Sequence, residues 1–341
     1  MKAVLKAEAK KDRIYVEHEI MTKKGKIPKK KVKDLYRRIM TIRLFEEKVD
    51  ELFKMGKILG AMHTSIGQEA VATGFGVAME KKDLVLATHR GHGHCIMKGA
   101  ELGPMMAEIL GKAWGLCGGK GGSMHVIDVK KGMLGAIGIV GGGLPLAAGV
   151  GKAIKLLKTD QVCVCYFGDN ASNIGYFHES LNVSTLWKLP VVYVCENNLY
   201  GVSVPVHKSS CVEDIAVKAQ GYGIPGVIVD GMDVIAVEKA AREAIAHSRS
   251  GQGPYLVECK TYRFLGHSRG DPSYGPYRTK EEVEKWKKRD PRLVLISQAD
   301  LSKSEISEID EEVRALIDDA VQFAENSPMP DIATATEHIY A

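Results

Sequence analysis

Apolar residues recur every three or four positions over residues 32–55: Val32, Leu35, Tyr36, Ile39, Ile42, Phe45, Val49 and Leu52. That spacing predicts one long helix with a single buried face. Shorter helical patterns run from about Ile66 to Met79 and from Leu102 to Leu110, each followed by glycine or charged turn residues. From residue 160 the pattern changes to short, nearly continuous apolar runs, Val162–Phe167, Val191–Cys195, Val227–Val229 and Tyr255–Cys259, separated by helical segments. Strands that are apolar throughout and alternate with helices predict an α/β fold, a parallel sheet covered on both faces. Ser302-Lys-Ser-Glu305 reads as the start of a last amphipathic helix reaching about Glu325. The expected organisation is a basic N-terminal arm over 1–31 and a single α/β domain over 32–341, with helical additions at both ends.

Composition narrows the class. Of 341 residues, 45% are hydrophobic and 26% charged, and no run is apolar for the roughly 18–20 residues that a helical membrane span needs. The formal charge of +5 is unevenly spread: residues 1–33 hold twelve Lys/Arg against four acids, a net +8, which leaves −3 for the rest. With Tyr15 the only aromatic in that stretch, base stacking has no support, so nucleic acid is not expected. A solvated arm, or one that docks on a partner protein, fits better. Neither a secretory signal nor a transit peptide is recognisable there, and the expected compartment is the cytoplasm. The seven cysteines are odd in number and include no Cys-x-x-Cys pair, so disulfides and structural zinc are not expected. Cys163, Cys165 and Cys195 read as small buried strand residues.

The glycines are concentrated. Eight fall within 132–151 and six within 111–122. Gly138-Ile-Val-Gly141-Gly142-Gly143 leads into an apolar helix, an arrangement that suits either an anion at a helix N-terminus or close helix packing. With no strand recognised before it and no acid about 20 residues on, it fails the dinucleotide fingerprint, which disfavours a nicotinamide enzyme.

A sharper signal comes from two strand ends. Val162–Phe167 runs into Gly168-Asp169-Asn170-Ala171, and Val191–Cys195 runs into Glu196-Asn197-Asn198-Leu199-Tyr200. Both polar clusters therefore sit at carboxyl ends of successive parallel strands, where open α/β sheets bind ligands. Asp169 and Asn198, 29 residues apart, become neighbours, and a carboxylate with an amide oxygen suits Mg²⁺. His89, His92 and His94 form a local cluster that offers a transition-metal alternative, opposed by the guanidinium of Arg90 among them.

The pair Gly-Asp-x and Asn-Asn at this spacing resembles the thiamine-diphosphate motif. His63-Thr-Ser-Ile-Gly-Gln-Glu69, Thr88-His89-Arg90-Gly-His92, Gly118-Gly-Lys-Gly-Gly-Ser-Met-His125, Phe177-His-Glu-Ser-Leu-Asn182 and Gly266-His267-Ser-Arg-Gly-Asp271-Pro are similar to the α subunit of the first component of 2-oxo acid dehydrogenase complexes. The likeness covers about 32–325, and Thr88–Cys95 is nearest to acetoin and bacterial pyruvate dehydrogenase members. The resemblance implies an enzyme that cleaves pyruvate or acetoin, using thiamine diphosphate and Mg²⁺, and passes the acyl unit to a lipoyl group on an acyltransferase component. A branched-chain 2-oxo acid enzyme and a degenerate assembly subunit are the alternatives. It makes Asp169, Asn198 and the Tyr200 carbonyl ligands of Mg²⁺. It places His89, Arg90, Gly138, Val140, Gly168, Asn170, Ala171 and His267 around the cofactor, and gives His267 and His63 the catalytic positions. It also implies an α₂β₂ heterotetramer, because the family carries the pyrimidine-side Glu on a β subunit; Glu69 and Glu179, the acids at hand, read as structural. Two departures stand out: Asn170 where Gly is usual, and Ile137 where Asn is frequent. Asn is the residue besides Gly that best tolerates positive φ, so the turn at 170 is expected to survive.

Overall fold

A computed structural model describes residues 15–17 and 27–337, so the arm's basic residues from Lys2 to Lys26 lie outside the described residues. The described strands that form the main sheet are β1 (Tyr15–Glu17), β2 (Leu84–Thr88), β3 (Met133–Ile137), β4 (Cys163–Gly168), β5 (Val191–Asn197), β6 (Gly226–Asp230) and β7 (Tyr255–Lys260). They pair in the order β1-β6-β7-β5-β4-β2-β3, every ladder parallel. The α/β expectation is borne out.

Side chains of the central strands alternate between two cores, as the two-residue period of a strand requires. Val164 and Tyr166 of β4, Val192 and Val194 of β5 and Val257 of β7 join one core. Cys163, Cys165, Phe167, Tyr193, Cys195 and Leu256 join the other. The first is closed by α1 (Lys29–Lys54), α2 (Glu69–Ala78), α7 (Val234–Arg249) and α10 (Lys303–Asn326). The second is closed by α5 (Gly143–Leu156) and α6 (Gly175–Leu186). Between these run the short helices α3 (His92–Met97), α4 (Leu102–Ile109), α8 (Lys280–Lys287) and α9 (Pro291–Ser297). The α1 face expected from the spacing is buried as read, and Ser302 and Glu305 form a capping box at the start of α10. The seven cysteines are free, five of them buried. Among the described residues no helix is long and apolar enough to cross a membrane.

Two glycine clusters have different explanations. Around 111–122 the backbone folds over a single buried acid: Glu108 of α4 accepts from the N–H groups of Cys117, Gly119, Gly121 and Gly122 at 2.7–3.1 Å, with Gly118, Gly119 and Gly122 at positive φ. The 132–151 cluster corrects the sequence reading, because β3 does precede Gly138. Its five residues include Gly135 and border a glycine turn, which masks a strand pattern. Three residues of the N-terminal arm, Tyr15–Glu17, extend the sheet by pairing with Gly226–Ile228.

Candidate active site

The β4–β5 ladder sets Gly168 opposite Glu196, so the chain leaves the sheet at both points and delivers Asp169 and Asn198 to the same carboxyl edge. A cavity of about 200 Å³ opens there. Ten residues singled out from the sequence line it: His89, Arg90, Val140, Gly168, Asp169, Asn170, Ala171, Asn198, Tyr200 and His267. Two do not. Gly138 lies behind the wall against the His125 ring, and His63 stands behind His89 and His267 with its ring edge-on to both. Ile139 and Val140 form an exposed apolar rim.

One side of the cavity is an acceptor site. Asp169 is 2% exposed, its Oδ2 has no hydrogen-bond partner, and burial pushes its carboxyl up to about 6. An orphaned carboxylate oxygen in such a place is costly unless a cation completes it. Asn198 donates from Nδ2 to Gln68 Oε1 at 3.1 Å, which leaves its Oδ1 a single long contact from the Tyr200 N–H at 3.4 Å. The connecting turn is strained: Leu199 and the β-branched Val202 both hold positive φ, +70° and +54°, of the kind that persists where surrounding structure over-determines it.

The other side is cationic. Arg90 is buried and donates to the carbonyls of Thr64 and His267, both at 2.6 Å, with Nη2 3.3 Å from His267 Nδ1. Burial and then the Arg90 charge lower His63 to about 3, His89 to about 2 and His267 to about 4, so all three imidazoles are neutral in the free chain. Burial and Arg263 likewise lower Arg90 to about 9. Sequence reasoning missed Arg263. It lies just beyond the end of β7, 1% exposed, with Nε and Nη1 unpartnered, and its charge acts on His89, His267 and Asp169. Its signal was available: a cation in the tripeptide Tyr262-Arg263-Phe264 directly after a buried strand.

The cavity, with its bare Asp169 carboxylate and the buried Arg90, lies at the strand tips of a parallel sheet, and the chain around it is similar to known proteins. Residues 37–333 match the Dehydrogenase E1 component family. The acetoin:2,6-dichlorophenolindophenol oxidoreductase α subunit of Bacillus subtilis is 48% identical, over 90% of this chain and 92% of that protein. The pyruvate dehydrogenase E1 component α subunit of Rhizobium meliloti is 43% identical, over 87% and 86%. The acetoin oxidoreductase α subunit of Cupriavidus necator is 44% identical, over 87% and 90%. This chain belongs to the dehydrogenase E1 component family.

As an E1 α-type chain, an oxidoreductase subunit of the pyruvate and acetoin dehydrogenase kind, it shows what its local departures do. Asn170 is not at positive φ, so the expected demand on the turn does not arise. Instead its side chain covers Gly201 so closely that a Cβ there would overlap it, and its Oδ1 accepts from Ser209 Oγ at 2.6 Å. The turn after β4 is thereby tied to the segment that carries Tyr200. Ile137 lines the cavity and packs on Gly142 and Gly143.

Glu69, Glu179, His92 and His94 do not line the cavity. Glu69 is fully buried, 2.6 Å from Arg43 Nε, and accepts from the Gly67 N–H; Glu179 is exposed on α6. The His89, His92, His94 cluster is dispersed by the fold. His92 is closed between Glu46 and Ser123, at 2.9 and 3.0 Å, and His94 stacks on Tyr166 and meets Glu196 at 3.2 Å.

Proposed function

We propose that the chain is the diphosphate-side subunit of a first component that uses thiamine diphosphate and Mg²⁺. In this reading it cleaves pyruvate or acetoin and passes the two-carbon acyl unit to a lipoyl group on an acyltransferase. The observation that carries the reading is the unpartnered Asp169 carboxylate, set across one cavity from Arg90 and the neutral histidines. Asp169, Asn198 Oδ1 and the Tyr200 carbonyl are hard oxygen donors that suit Mg²⁺ and leave coordination places for diphosphate oxygens. His89 and the Arg90 charge suit the diphosphate itself. When bound, thiamine diphosphate would supply a nucleophilic ring carbon that adds to the substrate carbonyl and a cationic ring that takes up the electrons of the broken carbon–carbon bond.

The chain's own residues have defined parts in this. Arg90 keeps His267 and the loop around it fixed through the His267 carbonyl. With the Arg90 charge offset by an anion, His267, which lines the cavity, would gain affinity for a proton and could hold one at a substrate oxygen, with the His63 ring packed edge-on behind it. Asp169 is the only carboxylate that lines the cavity among the described residues. A second carboxylate for the aminopyrimidine must therefore come from elsewhere, which supports a companion β subunit in an α₂β₂ assembly. The relatives are themselves named α subunits. The seven free cysteines support a reducing compartment, the cytoplasm in our reading.

Calorimetric titration of the reconstituted α/β assembly with thiamine diphosphate tests the assignment. Saturable binding that requires Mg²⁺ and is absent from the α chain alone is expected. Binding indifferent to chelator, or turnover by the pure α chain, overturns it. The kcat/KM of the assembly on acetoin, pyruvate and 3-methyl-2-oxobutanoate tests the substrate: a tenfold preference for the branched acid, about 1.4 kcal/mol, removes the two-carbon assignment and leaves the cofactor assignment standing.

A further inference from the structure

Three histidines from three separate elements converge at the cationic wall. His63 comes from the α1–α2 connection, His89 from the tip of β2, and His267 from the loop after β7. One ring nitrogen of each lies within 4.8 Å of the other two, and the ring centroids are 4.6, 4.9 and 5.7 Å apart. Buried imidazole nitrogens ordinarily find partners, yet His63 Nδ1 and His89 Nε2 have none, and His63 is only 8% exposed.

We infer that His63, His89 and His267 form a binding site for a borderline transition-metal ion, best suited to Zn²⁺, and that its occupation blocks the adjoining cavity.

The donor chemistry separates this site from the Asp169 pair. Imidazole nitrogens select zinc and its neighbours, whereas Mg²⁺ takes oxygen. Three imidazole nitrogens, two of them from rings that line the cavity, match the protein ligand set of a zinc ion with one exchangeable position. Metal ligation needs neutral imidazole, and burial with the Arg90 charge holds all three rings neutral. Tetrahedral zinc with Zn–N of about 2.0–2.1 Å requires ligand nitrogens about 3.3 Å apart, so the rings must close by up to about 1.5 Å. His89 and His267 are half-buried, and the cavity they face gives them that room. Arg90 and Arg263 oppose a dication here. The ion therefore exchanges, unlike a structural zinc, and acts as a reversible inhibitor. Only the inhibitory consequence rests on the proposed function; the metal site stands on the three rings.

Co²⁺ is the probe, because three nitrogens and one water in tetrahedral array give it strong visible absorption that octahedral Co²⁺ lacks. The cofactor-free full-length chain should take up one Co²⁺ with that absorption, displaced by Zn²⁺ and unaffected by excess Mg²⁺. His89→Gln and His267→Gln, each confirmed as folded by its thermal transition, should weaken Co²⁺ binding by at least about tenfold. Asp169→Asn should leave it unchanged, and this variant separates the two sites. In the α/β assembly, Zn²⁺ should raise the apparent Kd of thiamine diphosphate competitively. Weak octahedral Co²⁺ spectra, or tight binding that both histidine substitutions leave intact, overturn the inference. Failure of the Mg²⁺-dependent titration alone bears on the proposed function and not on this site.

Discussion

Two buried carboxylates, Asp169 and Glu108, sit 2% and 0% exposed, each beside a glycine-rich stretch, and they do opposite work. Glu108 receives four backbone N–H groups from the loop it organises. Its charge is fully answered by the chain. Asp169 keeps an oxygen that nothing among the described residues answers, and burial raises its proton affinity. The same division holds for histidines: His92 has both ring nitrogens engaged, while His63 and His89 each keep one open. Closed polar groups specify the fold, and open ones mark where a ligand completes it.

The largest effect that can break this comparison is at Asp169. Asp169→Asn should abolish Mg²⁺-dependent cofactor binding, because it removes the only carboxylate that lines the cavity among the described residues. The folded chain should be no less stable, since an unanswered buried charge is lost. Calorimetric titration and urea unfolding of the same preparation check both halves. Retained binding removes Asp169 from the metal site, and a large loss of stability returns it to the scaffold.

His267→Ala comes next. A side chain that moves a proton in the transition state contributes about 10²- to 10⁴-fold, so reductive acylation of lipoyl should fall by that much while the thiamine diphosphate Kd changes little. Equal losses in both would make His267 a binding residue, and unchanged acylation would make it an ordinary loop residue.

Much of this architecture was legible in the chain, for physical reasons that differ by element. The α1 helix and the strands β4, β5, β6 and β7 announce themselves because each is buried along a regular period, one face for the helix and both for the strands. Asp169 and Asn198 follow at once, since strand ends locate them. What escaped was set by packing rather than pattern. β2 and β3 are five residues each and lie among histidine and glycine turns, so neither shows a period long enough to read. The role of Arg263 depends on its Nη2 being engaged by Val202 and Tyr277 while Nε and Nη1 have no partner among the described residues, a property that only the folded structure displays. The spread of His89, His92 and His94 into three surroundings follows from the helix that starts at His92, which turns neighbouring residues in different directions.

Glu108 gives the complementary test on the closed side. Glu108→Gln keeps the volume and replaces an acceptor oxygen by an amide N–H₂ facing backbone donors, so two of the four N–H groups lose their partner. Each buried unsatisfied donor costs about 1–3 kcal/mol, and a loss of about 3 kcal/mol in urea unfolding is expected, with Mg²⁺ affinity of the folded fraction intact. A loss of metal affinity at unchanged stability would erase the distinction between the two acids.

The smallest effect concerns a third buried carboxylate, Asp290, which is closed by charge rather than by backbone. Its Oδ2 accepts from Arg43 Nη1 at 2.9 Å and from Arg292 Nη2 at 2.8 Å, and its Oδ1 accepts from the Arg292 N–H and Nε, both at 3.0 Å. Burial pushes this carboxyl up, but the two arginines outweigh it and hold it down at about 2. A carboxylate whose folded value lies below the unfolded one, about 3.9, stabilises the fold at pH above about 4. That contribution disappears as pH falls through about 2, because the proton then binds in both states. The window is worth between about 2 and 3 kcal/mol at 1.36 kcal/mol per pKa unit. Urea midpoints of the parent should therefore fall between pH 4 and pH 2 more steeply than those of Asp290→Asn, which has no proton to take up there. Parallel pH profiles would show that the arginines do not stabilise the Asp290 charge. Asp169, raised where Asp290 is lowered, would then lose its contrast with a carboxylate that the chain itself completes.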